Sequence, residues 1–230
     1  MKKIIFGIFA HPDDEAFGPA GTLIKETRSG TELHLITLTN GGGSHSVNVD
    51  NHADLGAVRL EEWHKAGQLL GAASMEHLGY QDGQLNNDTM IEIADKLARL
   101  IFSKLNDAPA DAEVEFMAFD LNGLTGHIDH IVASRAACWT FYKLKAKDSR
   151  LKRIRLYCFT DSEAPSPNID WIYMEQGHAA DEIGETVDAR SYHNEILEVM
   201  RAHHTQRQDA AAAIQNRGDN LGLNHFLIKN

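Results

Sequence analysis

Four short runs in this chain are almost wholly apolar, KIIFGIFA from Lys3, ELHLITLT from Glu32, VEFMAF from Val114 and IRLYCFT from Ile154, and stretches of helical character separate them. Strands that read as continuous isoleucine, leucine and phenylalanine are buried on both faces, which is the habit of parallel sheets covered by helices on each side. Alternation of such strands with helices therefore predicts an α/β fold, Rossmann-like and three-layered, with a mostly parallel sheet. The helices are expected over Ala16–Arg28, Ala57–Leu70 with Gly71 as its stop, Asp88–Leu105 and His127–Lys143. A closing helix is expected over Tyr192–Asp209, and a short strand over Met75–Gly79. In sheets of this kind ligands bind beyond the carboxyl ends of the strands, so the residues just after each strand are where chemistry is sought.

Length and charge narrow the classes. At 230 residues the chain is expected to form a single domain over 1–230 and to bury enough surface to fold without a metal or disulfide as a staple. Twenty-two basic against 33 acidic residues give a net charge of −11, which speaks against nucleic acid or an anionic membrane as partner and for a small-molecule substrate. Cys138 and Cys158 have no CxxC spacing and read as free thiols of a reducing, cytoplasmic setting. The apolar start runs directly into a polar turn without a signal-cleavage pattern, and no apolar run reaches the 18 or so residues of a membrane span. No heptad or exposed apolar stripe bears on oligomeric state, so a homo-oligomer stays open. Two polar segments, Asn40–Gly56 and Glu163–Gly184, read as loops, the first rich in glycine and holding His45 and His52.

Strand one ends in His11-Pro12-Asp13-Asp14-Glu15. The proline holds His11 extended and directs the chain into a turn, in which residues three apart can face one point. His11 and Asp14 can thus offer a nitrogen and an oxygen to one metal ion, while Asp13 between them points elsewhere. An imidazole and a carboxylate suit zinc, and iron or cobalt can replace it in such a nitrogen and oxygen site. A second cluster, Gly126-His127-Ile128-Asp129-His130, again follows a strand and opens a helix, with His127 and His130 on one helical face. One of these two histidines completes three protein ligands and leaves an open position, the form of a catalytic rather than structural zinc site. Glu15 reads as a helix-capping acid, and with 13 histidines in the chain a lone histidine signals little.

Together these two motifs resemble the PIG-L or LmbE-like family of zinc-dependent de-N-acetylases, whose signatures A-H-P-D-D-E and G-H-x-D-H stand at Ala10–Glu15 and Gly126–His130 without a mismatch. Arg59-Leu60-Glu61-Glu62, Asp82-Gly83 and the late His203-His204-Thr205-Gln206 are similar to further elements of that family, so the likeness spans roughly residues 3 to 210. The resemblance implies an LmbE-like fold, zinc held by His11, Asp14 and His130, and Asp13 as general base. It also implies His127 as acid or oxyanion stabiliser, taken to be protonated, with Asp129 orienting it, and Arg59 and Asp82 as contacts to sugar hydroxyls. The expected reaction removes the acetyl group of an N-acetylglucosamine-type sugar or conjugate. An amidase acting on a thiol conjugate is a second reading, and a non-catalytic sugar- or nucleotide-binding module a third. Dinucleotide binding is poorly supported because G-x-G-x-x-G is missing from the sequence.

Overall fold

The computed structural model describes residues 1–43, 54–164 and 177–230. In chain order the elements are β1 (Lys3–Phe9), α1 (Asp14–Phe17), α2 (Ala20–Arg28), β2 (Glu32–Thr39), α3 (Leu55–Leu70), β3 (Ala72–Tyr80), α4 (Asn87–Asn106) and β4 (Glu113–Phe119). There follow α5 (Gly123–Gly126), α6 (Ile128–Lys145), β5 (Leu151–Thr160), β6 (Gly177–His178), β7 (Glu185–Asp188), α7 (His193–Ala202), α8 (Arg207–Arg217) and β8 (Leu223–Lys229). The strands form a mixed, mostly parallel sheet in the order β3-β2-β1-β4-β5-β8-β7, with β6 beside β5. Strands β1 to β5 run parallel, whereas β8 pairs antiparallel with both β5 and β7.

Alternation along β1 divides the core. Ile4, Phe6 and Ile8 pack on the side of α4 and α6, while Ile5 and Phe9 pack with residues of α2, α3 and α7 on the other. A helix layer therefore covers each face, which is why β1 is apolar on both. Strand order reverses between β1 and β4, whose outer neighbours β2 and β5 lead away in opposite directions. At such a switch point the connections leave on opposite sides and open a crevice beyond the strand ends. Both sequence motifs are attached there, one after Phe9 and the other after Phe119.

Several expectations need correction. The helix read over Ala16–Arg28 is two helices, α1 and α2, because Gly18 and Pro19 interrupt the ladder. α4 starts one residue before Asp88, and its cap is Asn86, which accepts from the Asp88 and Thr89 amides in a capping box. Strand β3 has nine residues rather than five; as an outer strand it carries polar Ser74, Glu76 and His77 that mask its pattern. The chain closes not with a helix over Tyr192–Asp209 but with α7, a turn at His203, α8 and the strand β8. Among the described residues no helix is long and apolar enough to cross a membrane, and both cysteines are free thiols.

Candidate active site

The turn after β1 is built by Asp14. Its Oδ2 accepts from the backbone N–H groups of Ala10 and His11, each at 3.0 Å, which folds the turn back so that its carboxylate and the His11 ring share one side. From the other motif, His130 enters from the first turn of α6. His11 Nδ1 lies 3.0 Å from His130 Nε2, Asp14 Oδ1 lies 3.3 Å from that Nε2, and Asp14 Oδ2 is 3.9 Å from His11 Nδ1. Ligands on a tetrahedral zinc, with bonds of about 2.0–2.2 Å, stand roughly 3.3 Å apart. The two histidine nitrogens and the Asp14 carboxylate thus lie close together, Oδ1 toward His130 and Oδ2 toward His11.

The far sides of both rings make the same point. His11 Nε2 faces Asp82 Oδ1 at 2.9 Å and Asp129 Oδ2 at 3.3 Å, while His130 Nδ1 faces the Gly123 carbonyl at 3.0 Å. All of these are acceptors, so each of those nitrogens carries the hydrogen. His11 Nδ1 and His130 Nε2 are then left as lone pairs aimed at each other and at a carboxylate, an arrangement that a cation satisfies. Outer partners of this kind fix the tautomer and raise the basicity of metal-ligating histidines. Burial depresses a histidine, yet its hydrogen bonds to the Asp129 and Asp82 carboxylates and the Asp14 charge prevail and raise His11 to about 10, so without an ion Nδ1 takes up a second proton, which a bound cation would displace. Asp14 is likewise held well below the usual carboxylate range, its burial outweighed by His130 and His11. The centre favours positive charge. His127 also lies within ligand range of His11 and His130, and His11, Asp82 and Asp129 converge as a second group around the His11 ring; in that group Nε2 is the protonated atom, so it orients the ring.

Asp13 occupies a strained position. Its φ of 113° and ψ of −23° place a non-glycine residue in left-handed space, at a cost of about 1–3 kcal/mol that the surrounding contacts must overcome. Arg59 supplies several of them: its Nη2 donates to Asp13 Oδ2 at 2.8 Å and to the Pro12 carbonyl at 2.7 Å, and its Nη1 to the Gly41 carbonyl at 2.8 Å. Burial, only partly offset by Arg59, pushes Asp13 up to about 6. A carboxyl group so poised exchanges protons near neutrality.

Arg59, Asp82 and His127 each have partners within the protein. Arg59 is only 3% exposed and engages Asp13 and the backbone, and Asp82 braces His11 while its Oδ2 accepts from the Gly43 amide. At His127, expected as a charged imidazole, the surroundings disfavour the charge. The ring caps α6, its Nδ1 accepting from the Asp129 N–H at 3.2 Å, and burial together with the neighbouring His130 and His11 pushes it down to about 4. A neutral ring with Nδ1 as acceptor carries its hydrogen on Nε2, which makes it a neutral donor. Asp129 reaches His127 through this backbone N–H; its carboxylate accepts from the Gly83 and Leu85 amides and faces His11. His45 and His52 lie outside the described residues.

Sequence reasoning missed the pairing of Glu15. Glu15 lies in the first turn of α1 and accepts from the Asp13 N–H there, as a capping acid does, but it is also fully buried and meets His203, likewise fully buried, at 2.8 Å. Glu62, one turn after Arg59 on α3, accepts from both the N–H and the hydroxyl of Thr205. The signal was present: Arg59 and Glu62 at i and i+3 share a helix face, and the late His203–Gln206 element supplies their partner.

Residues 6–141, which include every side chain of this centre except those of the late element, match the family described as GlcNAc-PI de-N-acetylase, PIG-L. The chain belongs to the PIG-L family. It is therefore a member of a family of de-N-acetylases, hydrolases of the N-acetyl group. A 1D-myo-inositol 2-acetamido-2-deoxy-alpha-D-glucopyranoside deacetylase of Salinispora arenicola is 28% identical over 233 residues, covering 88% of this chain and 75% of the relative. Among solved structures, the N,N'-diacetylchitobiose deacetylase of Pyrococcus horikoshii aligns over 99% of this chain and 84% of its own, with a TM-score of 0.67 at 19% identity. The 4-carboxy-2-hydroxymuconate hydratase GalB of Pseudomonas putida aligns over 100% and 97% respectively, also at 0.67, with 15% identity. Likeness of this order establishes the α/β fold and, with a hydratase among the neighbours, leaves the chemistry to the side chains.

Proposed function

We propose that this PIG-L protein is a metal-dependent de-N-acetylase acting on a small N-acetylglucosamine-type sugar or sugar conjugate. The observation that carries the reading is the convergence of two histidine lone pairs and the Asp14 carboxylate on one point, with Asp13 braced beside it. His11, Asp14 and His130 would hold the ion, zinc by their donor types, with iron or cobalt able to replace it. When bound, such an ion supplies Lewis acidity toward the acetamide carbonyl and lowers the pKa of water.

The chain's own residues do the rest. Asp13 takes a proton from the attacking water, and its raised affinity for protons lets it return that proton to the leaving nitrogen. His127 Nε2–H donates to the carbonyl oxygen as negative charge develops on it, a contribution of about 3 kcal/mol on the scale of a single oxyanion donor. Asp82 and Asp129 keep the His11 ring in one tautomer. Water adds across the amide, so the products are acetate and a free amine. In this reading Arg59 serves the substrate through Asp13. Sugar recognition falls to the segments around 40–56 and 163–184, most of whose residues lie outside those described.

The test is acetate release from a panel of N-acetylated sugars and glycosides by metal-stripped protein, before and after zinc is added back, with Asp13→Ala alongside. Zinc-restored release that disappears in Asp13→Ala supports the reading. Metal binding without release from any sugar moves it to a non-sugar amide such as a thiol conjugate, and a binding module is indicated if Asp13→Ala changes nothing.

A further inference from the structure

The mechanism makes no use of Glu15 or His203, although both are fully buried and their pairing joins residues 188 apart in sequence. A carboxylate removed from water is costly to leave unpaired, so its contacts describe its purpose. Glu15 has two. One oxygen meets His203 Nε2 at 2.8 Å, and the other accepts from the backbone N–H of Asp13 at 3.2 Å. Among the described residues His203 Nδ1 makes no hydrogen bond, so the ring's hydrogen bonding there is directed at Glu15. His203 is itself fixed in place, since Thr205, two residues on, is bound through both its N–H and its hydroxyl to Glu62 of α3. That same helix presents Arg59 to the Asp13 carboxylate.

We propose that Glu15 and His203 form a positioning pair for Asp13: His203 steadies the Glu15 carboxylate, which holds the Asp13 amide and keeps that residue in its left-handed conformation, facing Arg59. Asp13 is thereby gripped at the backbone by the end of α7 and at the side chain by α3. The inference rests on the reading of Asp13 as the base. Neither partner touches substrate, so the pair acts on the rate through aim alone.

The experiment compares His203→Ala, His203→Gln and Glu15→Gln in metal-loaded, full-length protein, following kcat, KM, bound metal and hydrogen exchange at the Asp13 amide. Glutamine at 203 retains an N–H donor, whereas glutamine at 15 has an amide NH2 where one of two donors needs an acceptor. Misplacement of a reacting group by an ångström costs roughly a hundredfold, so His203→Ala and Glu15→Gln should lower kcat between about tenfold and a hundredfold. KM and one metal per chain are retained, Asp13 amide exchange accelerates, and His203→Gln recovers a large part of the rate. If His203→Ala does not fold, the two glutamine variants decide. Wild-type kcat and Asp13 exchange in folded His203→Ala or Glu15→Gln would overturn the proposal, as would metal loss in step with activity, which would assign the pair to Asp14. A wild-type protein that releases acetate from no N-acetyl compound indicts the functional reading instead, and the exchange data then judge the pair alone.

Discussion

At the scale of single residues, the site works by assigning hydrogens. Acceptors behind His11 and His130 decide which nitrogen of each ring is bare, and the bare ones face inward. The same reasoning makes His127 a neutral donor, since its Nδ1 is occupied by the Asp129 N–H. Loss of one oxyanion donor costs about 3 kcal/mol, so His127→Ala is expected to lower kcat by roughly a hundredfold to a thousandfold with little change in KM. His127→Gln, which retains a neutral donor, should recover part of that loss. Because the donor acts uncharged, recovery by glutamine distinguishes this role from that of an imidazolium. Steady-state kinetics of the two variants checks it. These assignments were only half legible in the sequence. Spacing put His11, Asp13, Asp14, His127 and His130 at the ends of strands, but the acceptors that set each tautomer come from Gly123, Asp82 and Asp129, contacts that exist only once the chain has folded.

At the scale of elements, α3 acts as a brace. Arg59 and Glu62 lie one turn apart and reach, respectively, the turn after β1 and the turn after α7. The brace also depends on Gly41, which sits at φ 66°; a Cβ there would stand 2.5 Å from the Arg59 guanidinium carbon. Gly41→Ala must therefore displace Arg59 as well as strain the backbone, so it is expected to lower kcat at least tenfold and to reduce stability by about 1–3 kcal/mol. Thermal unfolding and turnover of that variant are the measurements, and an unchanged kcat would remove Arg59 from the account. Apolar runs and stop residues made most elements legible: β2 and the end of α3 at Gly71 stand where they were read. Elements at the far edge were not. β7 is four residues of ETVD, and β8 carries Asn224 and His225, which bond Thr22 and Thr186 from neighbouring elements, so polar residues in them are satisfied by tertiary contacts the sequence does not display.

For the whole molecule, the decisive property is topology. Reversal of strand order between β1 and β4 brings together two motifs more than a hundred residues apart, and near the other end of the sheet lies a cluster of charged side chains. There Arg155, fully buried on β5, pairs with Glu26 of α2 and Glu115 of β4, while Lys3 of β1 also meets both carboxylates. Burial raises the Glu26 carboxyl, but the Lys3 hydrogen bond and the Arg155 charge prevail and hold it below its ordinary 4.5. A depressed carboxyl group contributes stability above its unfolded-state pKa and loses it as pH falls through the folded one. Acid unfolding of the wild type should therefore steepen below about pH 4.5. Glu26→Gln should flatten that limb while costing about 3 kcal/mol near neutrality, because Arg155 stays buried with one partner fewer. Urea denaturation across pH 3 to 7 measures both.

We propose that His11, Asp14 and His130 together make one metal centre and that Asp13 is not part of it. Metal stoichiometry after zinc loading and gel filtration, determined for the wild type, Asp13→Ala and His130→Ala, tests it most directly. One ion per chain in the wild type and in Asp13→Ala, with none retained by folded His130→Ala, is the expected result. A wild type that holds no metal, or a His130→Ala variant that binds it as tightly as the wild type, would contradict the account.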